Sequence, residues 1–396
     1  MIALFHSKIK LFVEGRRQTF EALSSLSSED KVVWFHAASL GEFEQGRPVI
    51  EQVKKEFPSH KILLTFFSPS GYEIRKNYAL ADVVCYLPMD SKKNVKRFLD
   101  MLNLELAIFI KYEFWPNYLH ALRQRNISTI LVSGIFRKNQ IFFKSYGAFM
   151  RKSLRSFDHF FVQDQVSKDL LNTIHQTNVA ISGDTRFDRV YEILQQDNSL
   201  SYVSEFKNKQ YTVVAGSTWG KDEKLLVSYI NKDASKDEKF IIAPHNMNAT
   251  RIEELRKSIV KKTVLFSEKE GKELADFDVF IIDTIGVLTK IYASADAVYV
   301  GGGFTKSGVH NTLEPAIFGV PIVIGPCYEK HKEVVDLVKL KGCKVVANQN
   351  EFSAIFTRMK ESKAHRMEIG DINATFIKEN IGATEVIMKY IKTNLN

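Results

Sequence analysis

The sequence is short of cysteines, long apolar runs and acidic side chains, and each shortage excludes a class of protein. Its three cysteines, Cys85, Cys327 and Cys343, form no Cys-x-x-Cys pair, which argues against a disulfide framework and favours a cytosolic setting. No run of about 18 apolar residues occurs, so no transmembrane helix is predicted. Because no metal-ligand spacing occurs either, we expect neither a metal nor another cofactor.

The start of the chain, residues 1–17, is apolar with interspersed basic side chains. It is too short to span a bilayer and lacks a signal-peptide cleavage pattern. It predicts a helix that either lies on a surface or packs against the rest of the protein.

Acidic residues are outnumbered, with 46 Asp and Glu against 55 Lys and Arg and a net charge of +9. The excess lies mainly in the first half of the chain, and residues 114–157 contain no acidic side chain at all. The excess serves solubility or indicates an anionic partner, namely a membrane surface, a nucleic acid or a phosphorylated substrate. Basic and bulky apolar residues alternate in 114–157, which suits anionic lipid or a helix with an apolar core face and a basic solvent face. A single-strand nucleic-acid surface would also be basic and aromatic, but no RNA- or DNA-binding signature is present, so no nucleic-acid partner is expected.

The length of 396 residues suits two domains, and short apolar runs alternate with helical patterns throughout, which predicts parallel α/β architecture. Seven runs lie on each side of a polar segment at 190–210, where we place the linker between domains 1–195 and 205–396. Residues 370–396 predict one or two helices, for which packing back onto the first domain is one arrangement considered. Two such open sheets in tandem are expected to face each other across a ligand-binding cleft at the carboxyl ends of their strands. The predicted strands lie within Val32–Ala38, Lys61–Phe67, Asp82–Pro88, Leu106–Lys111, Ser128–Gly134, His159–Gln163, Val179–Gly183, Tyr211–Ser217, Lys239–His245, Thr263–Ser267, Val279–Thr284, Ala297–Gly302, Val320–Pro326 and Cys343–Asn348.

Two carboxylates follow predicted strands of the first half. Glu42 comes where the first strand gives way to a helix, after Ser39 and Gly41, and is either a capping-box residue or a general base for an acceptor hydroxyl. Glu113 follows the strand that ends at Lys111, just before Pro116. It is either a helix-start carboxylate or a residue that binds the acceptor or supports the base.

A glycine-rich turn, Gly301, Gly302 and Gly303, follows a predicted strand of the second half and leads to a helix at Thr312. Glycines let a phosphate approach backbone amides, and the helix N-terminus adds positive potential. Glu314 in the first helical turn can accept hydrogen bonds from both ribose hydroxyls. Two other strand ends, Pro244–His245 and Gly286–Leu288, are expected to line the same nucleotide site.

Six motifs occur in an order that resembles the transferases of 3-deoxy-D-manno-octulosonic acid (Kdo) in lipopolysaccharide assembly, over nearly the whole chain from about Leu11. The combination is specific, although no single motif is. The motifs are His36-Ala-Ala-Ser-Leu-Gly-Glu42, Lys111-Tyr-Glu-Phe-Trp-Pro-Asn117, Ser182-Gly-Asp184, Gly216-Ser-Thr-Trp219, Gly301-Gly-Gly-Phe304 and His310-Asn-Thr-Leu-Glu-Pro315.

The resemblance implies an inverting, metal-independent glycosyltransferase of the GT-B type, with two Rossmann-like domains, that transfers Kdo from CMP-Kdo to a lipid A precursor (lipid IVA). It implies Glu42 as the catalytic base and Glu113 as a second acidic residue of the active site. The protein would act at the cytoplasmic face of the inner membrane, peripherally or through an N-terminal anchor, on an anionic surface. The residues that match the family's CMP-contacting segments are Pro244, His245, Gly286, Val287, Leu288, Asn311, Thr312, Leu313 and Glu314.

Two departures from the family pattern concern the phosphate contact and the membrane anchor. The family commonly has Pro-Arg-His where this chain has Pro244-His245-Asn246, so an arginine is missing from that turn. The apolar start is also shorter than the usual anchor, which suggests attachment through the basic stretch or a truncated start. The alternatives are a GT-B enzyme with a UDP-sugar donor, a sugar-nucleotide epimerase, and a non-catalytic nucleotide- or lipid-binding protein.

Overall fold

The computed structural model describes residues 7–395, with side chains from Leu11 onward. It divides into two compact units. Unit 1 contains the described residues up to Arg189 and those from Asn380 onward, and unit 2 contains Val190–Glu379. Residues 1–6, which belong to the helix predicted at the start of the chain, lie outside the described residues.

Unit 1 is built on a seven-stranded parallel sheet in the order β3-β2-β1-β4-β5-β6-β7. Its strands are near-continuous apolar runs because both faces of the sheet are covered, and all of β1 except Lys31 is buried. Side chains alternate between two cores, so that Trp34 packs on one face and Phe35 on the other. The strands are β1 (Lys31–Ala37), β2 (Lys61–Phe66), β3 (Val83–Tyr86), β4 (Asn103–Ile110), β5 (Ser128–Gly134), β6 (His159–Val162) and β7 (Val179–Ile181).

Helices cover both faces of this sheet, and the last helix of the chain is one of them. Its buried residues Ile387, Met388 and Ile391 pack into the same core as Phe35. The helices are α1 (Ser7–Arg17), α2 (Thr19–Leu23), α3 (Leu40–Glu56), α4 (Pro69–Arg75), α5 (Lys92–Asp100), α6 (Pro116–Gln124), α7 (Ala148–Leu154), α8 (Gln165–Asn172), α9 (Arg186–Ile193), which crosses the unit boundary, and α18 (Ala383–Asn394).

The end of α1 packs against the sheet edge. The Arg16 guanidinium donates to the carbonyls of Leu87 at 3.0 Å and Phe67 at 2.7 Å and lies over the ring of Phe12. A Cβ at Gly15 would lie 2.2 Å from the Tyr86 ring, so this close approach requires glycine. Within the described residues, no helix is both long and apolar enough to cross a membrane.

Unit 2 repeats the plan with a seven-stranded parallel sheet in the order β10-β11-β9-β8-β12-β13-β14. Its strands are β8 (Tyr211–Thr218), β9 (Glu238–Pro244), β10 (Thr263–Leu265), β11 (Val279–Ile281), β12 (Ala297–Val300), β13 (Ile322–Ile324) and β14 (Cys343–Val345). Its helices are α10 (Ser201–Lys207), α11 (Gly220–Lys232), α12 (Ala249–Ser258), α13 (Leu288–Tyr292), α14 (Leu313–Ile317), α15 (Lys332–Lys339), α16 (Gln349–Glu361) and α17 (Lys363–Glu379).

Both strand orders contain a switch point, where chain connections leave two adjacent strands in opposite directions. It lies between β1 and β4 in unit 1 and between β8 and β12 in unit 2. In open parallel sheets, ligands bind outside the carboxyl ends of the strands at such a point. Each of the fourteen predicted strand regions overlaps an observed strand.

Candidate active site

The two predicted acidic residues of unit 1 follow the two strands that flank its switch point. Glu42 lies in the first turn of α3, after β1, and Glu113 lies three residues after the end of β4. Because β1 and β4 are adjacent and parallel, their carboxyl ends meet at one edge of the sheet. Both carboxylates therefore lie at the edge where ligands of such sheets bind.

The carboxylate of Glu42 is held by the side chain of Ser39. Ser39 Oγ donates to Glu42 Oε2, whereas the Ser39 side chain makes no capping bond to the helix backbone. The capping box considered as an alternative for Glu42 is therefore not formed. Glu42 is half-buried, so its carboxylate is accessible to a ligand.

Glu113 is nearly buried and terminates a chain of hydrogen bonds. Its Oε2 accepts from Trp115 Nε1 at 2.7 Å and lies 3.0 Å from Nε2 of His36, which is fully buried on β1. His36 Nδ1 lies 2.8 Å from Thr65 Oγ1, and that oxygen accepts from Trp34 Nε1 at 2.7 Å. With the proton on Nε2 of His36, the Thr65 hydroxyl donates to Nδ1 and Nε2–H donates to Glu113. The carboxylate is thus fixed in orientation by side chains from β1, β2 and the turn after β4.

Tyr112, next to Glu113, lies among four charged groups, of which only Glu42 was predicted as a site residue. Burial raises the pKa of its phenol, and the Glu42 and Asp164 carboxylates act in the same direction, against the guanidinium groups of Arg137 and Arg186. Arg137 lies 5.7 Å from the Tyr112 ring centre. Arg137 and Arg186 are thus two cations near Tyr112, whose phenol Glu42 also influences. Only the positions of Arg137 and Arg186 after the ends of β5 and β7 could have indicated them from the sequence.

Two further features constrain the carboxyl-end edge of the unit 1 sheet, one in the backbone and one between side chains. Lys111, just before Tyr112, has a φ of 68°, a left-handed conformation that is unusual for a non-glycine residue and concentrates at functional sites. Arg186 is held by the buried Asp184, with a 2.7 Å contact between Nη2 and Oδ2. Burial would raise the pKa of Asp184, but the contacts with Arg186 outweigh it, so that this pKa lies below its usual value.

The predicted nucleotide-site residues of unit 2 all follow carboxyl ends of neighbouring strands. Pro244 ends β9 and His245 follows it, Gly286–Leu288 follow β11, and the glycine turn follows β12. Since β11, β9, β8 and β12 are adjacent in the sheet, these segments share one edge. The side chain of Thr289 links two of them by donating to Glu314 Oε2 at 2.6 Å.

The glycine turn contacts the protein's own backbone more closely than a phosphate-binding role requires. A Cβ at Gly301 would lie 2.3 Å from Ser217 O, and one at Gly303 would lie 2.6 Å from Gly325 Cα. The Gly301 amide donates to Gly216 O and the Gly302 amide to Asp222 Oδ2, each at 2.9 Å. Within the described residues, only the Gly303 amide of these three donates to no protein acceptor. The expectation that all three amides face a phosphate is therefore corrected for Gly301 and Gly302.

Three aromatic rings stack beside this turn. Trp219 Nε1 donates to His310 Nε2 at 2.9 Å with the rings 2° from parallel, and His245 stacks over both at centroid distances of 4.6 and 4.4 Å. Burial, together with His245 and His331, lowers the pKa of His310 to about 4, which suits a ring nitrogen that accepts a hydrogen bond. The exposed ring of His245 is the outer layer of this stack.

The segment from Asn311 to Glu314 combines an engaged carboxylate with an unpartnered hydroxyl. Glu314 Oε1 accepts from Asn311 Nδ2 at 2.8 Å, and Leu313 is buried in α14. Thr312 Oγ1 is buried and has no hydrogen-bond partner within the described residues. Because buried hydroxyls in proteins nearly always have a partner, this oxygen is a candidate contact for a bound ligand.

The basic stretch of unit 1 separates into structural and exposed parts. Arg151 is committed to the backbone, donating to Phe142 O and Lys144 O, and Phe142 is in the core. Tyr146 and Phe149, in contrast, are 75% and 70% exposed. Beside them the basic residues Lys138 and Lys152 are exposed as well.

Comparison with known proteins finds similarity to one family of transferases. The family model described as 3-deoxy-D-manno-octulosonic-acid transferase (kdotransferase) matches residues 14–189. A 3-deoxy-D-manno-octulosonic acid transferase of Aquifex aeolicus (strain VF5) is 28% identical over 351 residues, which cover 87% of this chain and 90% of that protein. The transferase of the same description from Haemophilus influenzae is 24% identical over 373 residues, covering 92% and 87%. The chain is therefore similar to Kdo transferases over most of its length.

Solved structures with a similar fold were also found. The UDP-GlcNAc 2-epimerase of Neisseria meningitidis has a TM-score of 0.63 at 15% identity, covering 92% of this chain and 100% of that one. MurG of Acinetobacter baumannii has a TM-score of 0.56 at 12% identity, covering 92% and 99%. At these identities the likeness concerns the fold alone, and the predicted α/β class of GT-B type is confirmed. Within residues 7–395, no group of three or more His, Cys, Asp or Glu side chains is arranged to hold a metal ion.

Proposed function

We propose that this protein is a Kdo transferase that moves Kdo from CMP-Kdo to a phosphorylated lipid A precursor, with inversion at the anomeric carbon. The observation that carries the proposal is the position of Glu42 and Glu113 after the two strands that flank the switch point of unit 1. A transferase needs a base for the attacking hydroxyl, and a half-buried carboxylate at that edge provides one.

In the proposed reaction, Glu42 takes the proton from a primary hydroxyl of the acceptor. The hydroxyl oxygen forms a bond to the anomeric carbon of Kdo on the face opposite the departing group. The bond from that carbon to the phosphate oxygen breaks, and CMP leaves with the electron pair. Glu113, fixed by His36 and Trp115, supports the acidic side of the site. The cations near Tyr112 are suited to the negative charge of a phosphorylated acceptor.

The donor site is assigned to unit 2. The Gly303 amide and the Thr312 hydroxyl are available to the phosphate and ribose, since neither has a protein partner within the described residues. Glu314 keeps one free lone pair on each oxygen after accepting from Thr289 and Asn311, so it can accept from ribose hydroxyls. His245 and Gly286–Leu288 lie along the same sheet edge and complete the proposed nucleotide site.

Anionic membrane contact is proposed for the exposed segment around α7, at the cytoplasmic face of the inner membrane, with the protein peripheral or held by its N-terminus. Aromatic rings insert at the interface while lysines attract anionic headgroups. We expect a Tyr146→Ser/Phe149→Ser double variant to lose binding to vesicles that contain anionic lipid. Val166→Ser, a 63% exposed residue of α8, is the control and should bind normally. Equal binding by both variants would remove this segment from the proposal.

The deciding experiment is incubation with CMP-Kdo and a lipid A precursor, followed by mass spectrometry for added Kdo. Calorimetric titration of CMP and of UDP separates this proposal from a UDP-sugar transferase or an epimerase. We expect CMP to bind at least about tenfold more tightly than UDP, a difference of about 1.4 kcal/mol. Preferential UDP binding, or no transfer of Kdo by protein that binds CMP, would contradict the proposed reaction.

A further inference from the structure

Asp222 is a fully buried carboxylate that joins two turns of unit 2. It lies in the first turn of α11, where Oδ2 accepts from the Trp219 amide at 2.9 Å, as in a capping box. The same oxygen accepts from the Gly302 amide at 2.9 Å, and Oδ1 accepts from the Tyr299 hydroxyl at 2.7 Å. Capping of α11 requires only the first of these bonds.

The additional bonds come from β12 and its turn. Trp219 follows β8 and Gly302 follows β12, so a single carboxylate oxygen fixes the spacing of the two turns at the switch point. A carboxylate that is removed from water must be well supplied with donors, and these three provide for both oxygens. Gly302 also has a φ of 91°, a conformation that the bond to Asp222 helps to hold.

This arrangement decides which amide of the glycine turn is available to a ligand. The Gly301 amide is bound to Gly216 O and the Gly302 amide to Asp222, which leaves Gly303. We propose that Asp222 is a positioning residue that holds the glycine turn with the Gly303 amide available to the donor phosphate. This inference rests on the proposed donor site in unit 2.

A purely structural role for Asp222 would lower stability without a specific effect on the donor, so the test separates the two. Asp222→Ala removes the carboxylate and all its hydrogen bonds. Asp222→Ser removes the carboxylate but keeps a hydroxyl in the buried space, which can make fewer of these bonds. In Asp222→Asn, the amide oxygen can still accept from both backbone amides while its NH2 group donates to the Tyr299 hydroxyl. Tyr299→Phe is the matched control, since it removes a buried bond to Asp222 but leaves both backbone bonds.

The first measurement is hydrogen exchange of the peptide spanning residues 301–310 in the absence of nucleotide. Exchange should be faster in Asp222→Ala and Asp222→Ser than in Tyr299→Phe. The second is calorimetric titration with CMP, for which we expect about tenfold weaker binding by Asp222→Ala and a smaller loss for Asp222→Ser. Binding by Asp222→Asn should stay within about threefold of wild type, and binding by Tyr299→Phe within about twofold, even where its melting temperature falls.

The outcomes distinguish this inference from the proposed function. One outcome is that wild type binds CMP and that Asp222→Ala, or Asp222→Ser if the alanine variant does not fold, binds CMP equally well. The positioning role is then overturned, and the proposed donor site is retained. If Tyr299→Phe weakens CMP binding as much as Asp222→Ala, the role is structural and the inference is again overturned. If wild type binds no CMP, the proposed donor site fails, and this role fails with it.

Discussion

The two switch-point edges occupy equivalent places in similar sheets. They differ in whether side chains or backbone atoms make most of their contacts. In unit 1, side chains make the edge, in a chain from Trp34 through Thr65 and His36 to Glu113. In unit 2, the glycine turn packs directly on the backbone of neighbouring turns and is held there by the Asp222 carboxylate. The comparison teaches that sheet topology determines where a site lies, while local residue choice determines whether charges or amides face the ligand.

The largest expected effect is on transfer activity, from Glu42→Gln at the edge of unit 1. Ser39 Oγ can still donate to the amide oxygen, so the protein should fold normally while transfer falls by about 10²–10⁴-fold. Mass spectrometry of the Kdo product measures the rate. Glu44→Gln, on the same helix and paired with Arg75, is the control. Near wild-type turnover by Glu42→Gln would remove this residue from the mechanism.

The backbone-built edge is tested by Gly301→Ala. The new Cβ would lie 2.3 Å from a backbone oxygen that cannot rotate away, so we expect a loss of about 1–3 kcal/mol in the free energy of unfolding. Scanning calorimetry measures it as a lower transition temperature. Gly41→Ala in the first turn of α3 is the contrast, because its Cβ would meet nothing closer than 3.8 Å. If both variants were equally stable, the contrast between the edges would be wrong.

The side-chain-built edge is tested by Glu113→Ala. This change removes the buried carboxylate that His36 and Trp115 contact, which should cost about 1–3 kcal/mol of unfolding free energy. Denaturant titration is the measurement. Glu51→Ala on α3 removes a more exposed pair with Arg47 and should cost about 1 kcal/mol or less. Equal costs would show that the hydrogen-bond chain does not hold Glu113.

The smallest effect is a pH dependence specific to unit 2. His310 has a pKa of about 4 in the folded protein against a usual 6.5, so the unfolded chain binds more protons between these values. Stability should therefore fall as the pH drops from about 6.5 towards 4. In His310→Gln, the amide oxygen can accept from Trp219, and the melting temperature should depend less on pH over that range. The control His175→Gln, at an exposed position, should keep the wild-type dependence. An unchanged slope in His310→Gln would contradict this assignment.

The sequence allowed the strands and the ends of the strands to be predicted, because runs such as Val32–Ala38 are apolar on both faces and are bounded by polar turns. Glu42 and Glu113 were singled out for the same reason. The partners of Glu113 were not predictable, since His36 and Thr65 come from strands far apart in the chain. The role of Asp222 was missed because the bond to Gly302 spans 80 residues and depends on the order of strands in the sheet.

For Gly301–Gly303, the position of the glycine turn was predicted, but only one of the two reasons for glycine there was. Access for a phosphate was the reason predicted for Gly301–Gly303. Contact with Ser217 and Gly325 is a second reason, which only the pairing of distant turns reveals. A local pattern of glycines predicts a close approach but does not identify the group that approaches.

The return of α18 to unit 1 has a consequence for how the protein is made. Its side chains fill the core beside Phe35, Asp188 binds the amides of Gly382 and Thr384 at 2.6 Å, and Lys392 pairs with Glu56. During translation, about 190 residues of unit 2 leave the ribosome before these contacts can form. Unit 1, although synthesised first, is therefore completed last, and its isolated expression requires that the 380–395 segment be joined to it.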